Sequence, residues 1–135
     1  MEDNIIINKS ETISRCVLRV HEDYLASKGN FLKDYTRQDA IILNLQRAIQ
    51  AATDLASHVV RKKNLSVPKE YKDLFLTLHE ANIISKAVQD KMINMVGFRN
   101  VAVHEYTKLD MNIVVSVIEK HLGDFEQFIQ AILKA

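Results

Sequence analysis

This sequence predicts an all-α fold, an up-and-down bundle of about five helices. Only three glycines and one proline occur in 135 residues, so turn material is scarce and the connections must be short. The apolar residues, 47% of the chain, recur at spacings of three, four and seven, which is the signature of helix faces. With 26% charged residues the balance is that of a globular protein. A chain of this length forms one domain, residues 1–135, and buries a core by itself.

The first helix is expected from about Ile5 to Ala26. Ile6, Ile13, Cys16, Val17, Val20 and Tyr24 share one face, and Lys28-Gly29-Asn30 ends it. Thr36, with Asp39 three residues on, resembles a capping box and opens a second helix near Gln38 to Lys63. That helix is apolar around much of its circumference, from Ile41 and Ile42 to Ala56 and Val59. It is therefore either central in the fold or half of a subunit interface. Ser66-Val67-Pro68 starts a short third helix that runs through about Leu78. A fourth is expected from roughly Ser85 to Asn100, with Met92, Met95 and Val96 inward. A fifth is expected from about Asp110 to Lys134, its apolar stripe outweighing the helix cost of Gly123, about 1 kcal/mol.

Charge and cysteine content narrow the function. The net charge is +1 and the isoelectric point about 7.9. A domain gripping many nucleic-acid phosphates is far more basic, so no DNA partner is expected and any RNA contact is local. A single cysteine, Cys16, excludes an internal disulfide and a cysteine-based zinc site. No apolar run is long enough to span a membrane, and Met1 is followed by Glu2 and Asp3 rather than by basic residues. The cytoplasm is the expected compartment.

The chemistry is concentrated in Arg99-Asn100-Val101-Ala102-Val103-His104-Glu105-Tyr106. Arginine stays protonated and holds phosphate through two parallel hydrogen bonds. Histidine gives or takes a proton near neutral pH. The pair Arg99 and His104 is the minimum for breaking a phosphodiester without a metal ion. Spacing imposes a condition. On one helix, residues five apart point about 140° from each other, whereas Arg99 and Tyr106, seven apart, share a face. To serve one phosphate, either the helix ends between Arg99 and His104 or two chains contribute. Gly97 and the β-branched Val101 and Val103 favour a break. A purely structural use is also open: Arg99 paired with Glu105, and His104 at a helix C-terminus.

The pattern of an arginine, a polar residue, a short spacer and a histidine, followed two residues on by a tyrosine, resembles the HEPN superfamily and most closely its HepT-like toxins. Arg99, Asn100, His104 and Tyr106 carry the resemblance. It extends over nearly the whole chain, including Asn44-Leu45-Gln46-Arg47 and Leu122-Gly123-Asp124-Phe125. It implies a metal-independent endoribonuclease toxin with no cofactor, acting on RNA as a homodimer whose two motifs face a shared groove. It also implies an MntA-like nucleotidyltransferase antitoxin that transfers AMP to the tyrosine, here Tyr106. The alternative is a non-catalytic helical binding module that pairs with such a nucleotidyltransferase. The dimer is expected to use the fourth helix and the apolar excess of the second.

The remaining polar residues carry less. Arg47 and Asp54 lie seven apart on one face of the second helix, either supporting the active groove or forming a plain ion pair. Asn100 is a third candidate for support. His21, His58, His79 and His121 are scattered without metal-ligand spacing, so structural or surface roles and no metal site are expected.

Overall fold

The computed structural model describes residues 3–135; Met1 and Glu2 lie outside them. Six α-helices and no strand occur among the described residues. They are α1 (Asn4–Ala26), α2 (Tyr35–Lys62), α3 (Tyr71–Glu80), α4 (Lys86–His104), α5 (Met111–Lys120) and α6 (Leu122–Lys134). Single 3-10 turns, Phe31–Lys33 and Tyr106–Lys108, precede α2 and α5. No helix among the described residues is long and apolar enough to cross a membrane.

The capping residue of α1 is Asp3, whose carboxylate accepts the Ile5 and Ile6 N–H groups. The same carboxylate meets His58 at 2.7 Å and Lys62 at 2.8 Å, both near the far end of α2. His58 first, then Lys62, hold the Asp3 carboxyl well below the usual carboxylate range. This cluster ties the start of α1 to the end of α2 and makes the pair antiparallel. Past Ala26 the chain turns through Lys28 and Gly29, both at positive φ, as the sequence signal required.

The second helix begins three residues before the expected Gln38. Asp34, not Thr36, is the cap: its carboxylate accepts the Arg37 N–H at 3.0 Å. Half of α2 is buried, 14 of its 28 residues, against α1, α3 and α4. The helix is central, and its apolar excess is taken up within the chain rather than by a second subunit. Ile13 and Val20 of α1, Leu45 and Ile49 of α2 and Met92 of α4 meet there, fully buried. Cys16 is a small core side chain among them, and Phe75 packs edge-on against Phe128 with ring centres 5.5 Å apart.

Two further boundaries differ from expectation. The third helix starts at Tyr71, after an extended Glu70, so Ser66-Val67-Pro68 belongs to the connection. A proline pushes the residue before it out of the helical region, and here no capping side chain follows. The connection opens with Asn64 in the left-handed conformation, and the Leu65 N–H returns to the Val60 carbonyl at 2.9 Å, an asparagine-led helix stop. The expected fifth helix is two. His121 leaves the helical conformation, the Asp124 N–H bonds its carbonyl at 3.0 Å, and its ring meets the Asp124 carboxylate at 3.0 Å. The apolar stripe runs on in phase across this joint, since Ile118 and Phe125 remain seven apart, so periodicity alone reads it as continuous.

Candidate active site

The fourth helix begins where expected, with Ser85 accepting the Val88 N–H at 3.2 Å. It does not stop near Asn100. The Glu105 N–H still bonds the Val101 carbonyl at 2.8 Å, and the helix runs through His104. The helix-propensity cost of Val101 and Val103, at most about 0.7 kcal/mol each, is too small to end it. The expected break between Arg99 and His104 is therefore absent.

This continuity fixes the geometry of the motif. Arg99 is half-buried and shares the inner side of α4 with Met92, Met95 and Ala102, which are buried. His104 is the last residue of α4 and is exposed, one turn beyond the exposed Asn100 and Val101 and two beyond the exposed Gly97. Within one chain the two side chains leave the helix about 140° apart. Neither joins a described carboxylate in an ion pair, so the expected alternative of an Arg99–Glu105 bridge is not formed. The outer surface of α4 continues across to α5 as a shallow cavity of about 260 Å³ lined by Gly97, Phe98, Val101 and Ile113. Val101 is 36% exposed and Ile113 53%, a run of apolar surface beside His104.

Glu105 breaks the helix with φ −136° and ψ 43°, and the Tyr106–Lys108 turn folds the chain back toward α2. There the Tyr106 hydroxyl donates to Asp39 Oδ1 at 2.5 Å. That bond to Asp39, with partial burial adding to it, pushes the phenol pKa up to about 12. Ionised tyrosine beside the carboxylate would place two negative charges together. The ring is still 42% exposed, so its oxygen is anchored yet reachable. Asp39 is the residue that sequence reasoning missed. Its spacing from Thr36 suggests only a cap, and the packing of the Tyr106 turn on α2 reveals its partner.

The expected support residues separate. Asn100 is exposed on α4 beside the motif. Arg47 and Asp54 do not pair with each other: Asp54 takes Lys9 at 3.2 Å and Gln50 at 2.9 Å, leaving Arg47 exposed in the groove between α1 and α2. The other histidines are structural or at the surface. His58 holds Asp3, His79 bonds the Ile84 carbonyl at 2.9 Å, His121 meets Asp124, and His21 is exposed on α1. Among the described residues no group of three His, Cys, Asp or Glu side chains could hold a metal ion.

Comparison with known proteins places this arrangement. The model of the "Ribonuclease HepT-like" family matches residues 13–132. The chain belongs to the HepT-like ribonuclease family. Among HepT-like proteins it is 45% identical over 130 residues to the mRNA nuclease HepT of Shewanella oneidensis, covering 96% of this chain and 97% of that one. It is 27% identical to the tRNA nuclease HepT of Aphanizomenon flos-aquae, covering 98% and 90%. The fold superposes with a TM-score of 0.94 on the tri-AMPylated HEPN toxin of Shewanella oneidensis in complex with its MNT antitoxin. That match is 43% identical and covers 99% of this chain and all of the other. The bundle is thus that of the HEPN toxins, with α5 and α6 in place of one expected long helix.

Proposed function

We propose that this HepT-like chain is the toxin of a toxin–antitoxin pair: an endoribonuclease that needs no metal ion, acts as a homodimer in the cytoplasm, and is silenced by AMP on Tyr106. One observation carries this reading. An intact Arg99–His104–Tyr106 segment lies at the end of α4, its histidine exposed and its tyrosine oxygen held at the surface.

RNA supplies its own nucleophile, the 2′-hydroxyl. As its oxygen attacks phosphorus, the bond to the 5′-oxygen breaks. His104 takes the 2′-hydroxyl proton or gives one to the leaving 5′-oxygen. Arg99 stabilises the charge that builds on the non-bridging oxygens. Because the two side chains diverge on an unbroken helix, one protomer's Arg99 works with the partner subunit's His104. The apolar run of Val101 and Ile113 beside the motif supplies a surface on which two copies can pair.

Silencing needs a second phosphoryl chemistry. An MntA-like nucleotidyltransferase antitoxin brings ATP. The Tyr106 oxygen attacks its α-phosphorus, pyrophosphate leaves, and Asp39 is the first acceptor for the phenolic proton. The product places a bulky anion where substrate phosphate must enter.

The test is cleavage of RNA by the purified chain in the presence of a chelator. The expected products end in a 2′,3′-cyclic phosphate and a 5′-hydroxyl. A folded wild-type chain that cuts no RNA, yet still forms a complex with the nucleotidyltransferase, would instead support the non-catalytic binding module.

A further inference from the structure

A cationic groove runs between α1 and α2. It encloses about 400 Å³ and is lined by Lys9, Arg15 and Arg19 from α1 and by Arg47, Gln50 and Asp54 from α2. Four cations and one carboxylate thus line one groove of a chain whose net charge is only +1. Its single acid is already neutralised, since Asp54 is held by Lys9 and Gln50. Toward the other end of the α1–α2 pair, Asp23 and Arg37 form their own ion pair. Between these compensated ends, Arg15, Arg19 and Arg47 are exposed, and no described carboxylate lies in ion-pair contact with any of them. Uncompensated like charges in one cleft repel each other and attract an anion.

We infer that this groove binds the phosphate backbone of the single-stranded RNA substrate on one side of the cleavage site. The inference rests on the ribonuclease reading and adds a site to it. Three features favour a nucleic-acid strand. The three cations without a carboxylate partner are arginines, whose planar forks match phosphate oxygens in pairs. Arg15 and Arg19 are one turn apart on α1, about 6 Å along its axis, so they form a row rather than a point. The groove is open along the seam between two packed helices, so an extended strand can lie along it.

A line of exposed α2 residues leads from the groove toward the motif. Asp39, Leu43 and Arg47 follow one another at i, i+4 and i+8 along the exposed side of α2, with Leu43 46% exposed between them. Asp39 holds Tyr106, beside the cleavage chemistry. Arg47 lies about 12 Å further along the helix axis and about 80° around it. A strand whose scissile phosphate sits at the motif can therefore cross Leu43 and lay its next phosphates against Arg47, Arg19 and Arg15. The near-neutral chain still meets RNA locally, because four cations against one carboxylate line the groove.

The test uses the cleavage-impaired His104→Ala protein with a fluorescent 20-nucleotide single-stranded RNA, alone and with Arg15→Gln, Arg19→Gln and Arg47→Gln added. All three positions are exposed on helices and glutamine is a good helix former, so the fold is retained. Binding is expected to weaken at least about tenfold at low salt. The slope of log affinity against log salt is expected to shrink by about 2, near 0.7 for each of three phosphates. Equal affinity and equal slope would overturn the inference. So would normal RNA binding with loss of the complex with the nucleotidyltransferase antitoxin, which would make the groove a protein-docking face. Cleavage by the otherwise wild-type chain is followed separately. Its absence refutes the ribonuclease reading, whereas its presence with unchanged binding refutes only the groove.

Discussion

Replacing His104 by alanine lowers the RNA cleavage rate by about 10²–10⁴-fold, the loss typical of a missing general acid or base. The helical circular dichroism stays unchanged, because the side chain is exposed at the end of α4 and removing it leaves no cavity. Arg99→Lys falls by about 10²-fold or more. Lysine keeps the charge and the half-buried stem but replaces the planar fork by a point charge, so the hydrogen-bond pair to the phosphorane oxygens is lost. Rates measured under single-turnover conditions separate this chemistry from product release. Wild-type rates in a folded His104→Ala protein would sink the mechanism.

Tyr106→Phe is expected to produce a toxin that cuts RNA and escapes its antitoxin. The ring and its packing remain while the acceptor oxygen is gone. Mass spectrometry after incubation with the nucleotidyltransferase and ATP shows AMP added to the wild type and none to the variant. Co-expression of the antitoxin no longer rescues growth. Modification of the phenylalanine variant would place the acceptor elsewhere, and loss of cleavage in a folded variant would move Tyr106 into the catalytic set. Asp39→Asn is the companion change. The Asp39 carboxylate raises the Tyr106 pKa to about 12, so ionisation should return toward the ordinary value near 10 when that carboxylate becomes an amide. A raised phenol pKa stabilises the fold below the unfolded value near 10, and the contribution is lost as pH climbs through the folded value. Ultraviolet titration of the phenolate, compared with Tyr106→Phe, reads the shift directly.

Much of this was visible in the residues. The glycine after α1, the apolar circumference of α2 and the inward Met92, Met95 and Val96 of α4 mark those helices because each feature acts locally. The Arg99–His104–Tyr106 pattern needed no structure to be singled out. What escaped depends on packing or on competition between nearby signals. Asp34 and Thr36 are both competent caps, and geometry, not residue type, selects Asp34. The α5–α6 joint hides because Ile118 and Phe125 keep the stripe in phase. Val101 and Val103 suggest an early end for α4, but their helix cost is too small to break it. Asp39 and the arginine groove are tertiary features: each joins residues dozens of positions apart, and nothing in a linear spacing announces them.

An unbroken α4 turns Arg99 and His104 apart within one chain, so the proposed cleavage uses them across two copies. A heterodimer of one wild-type chain and one carrying both Arg99→Ala and His104→Ala tests it, with the two chains tagged differently so that only the mixed species is purified. If the pair works across the subunits, no complete pair survives, and RNA cleavage falls to the level of the doubly changed homodimer. If instead each chain cleaves with its own arginine and histidine, one of two equivalent sites is intact, and the heterodimer retains about half of the wild-type rate. Retention of that half would contradict the account.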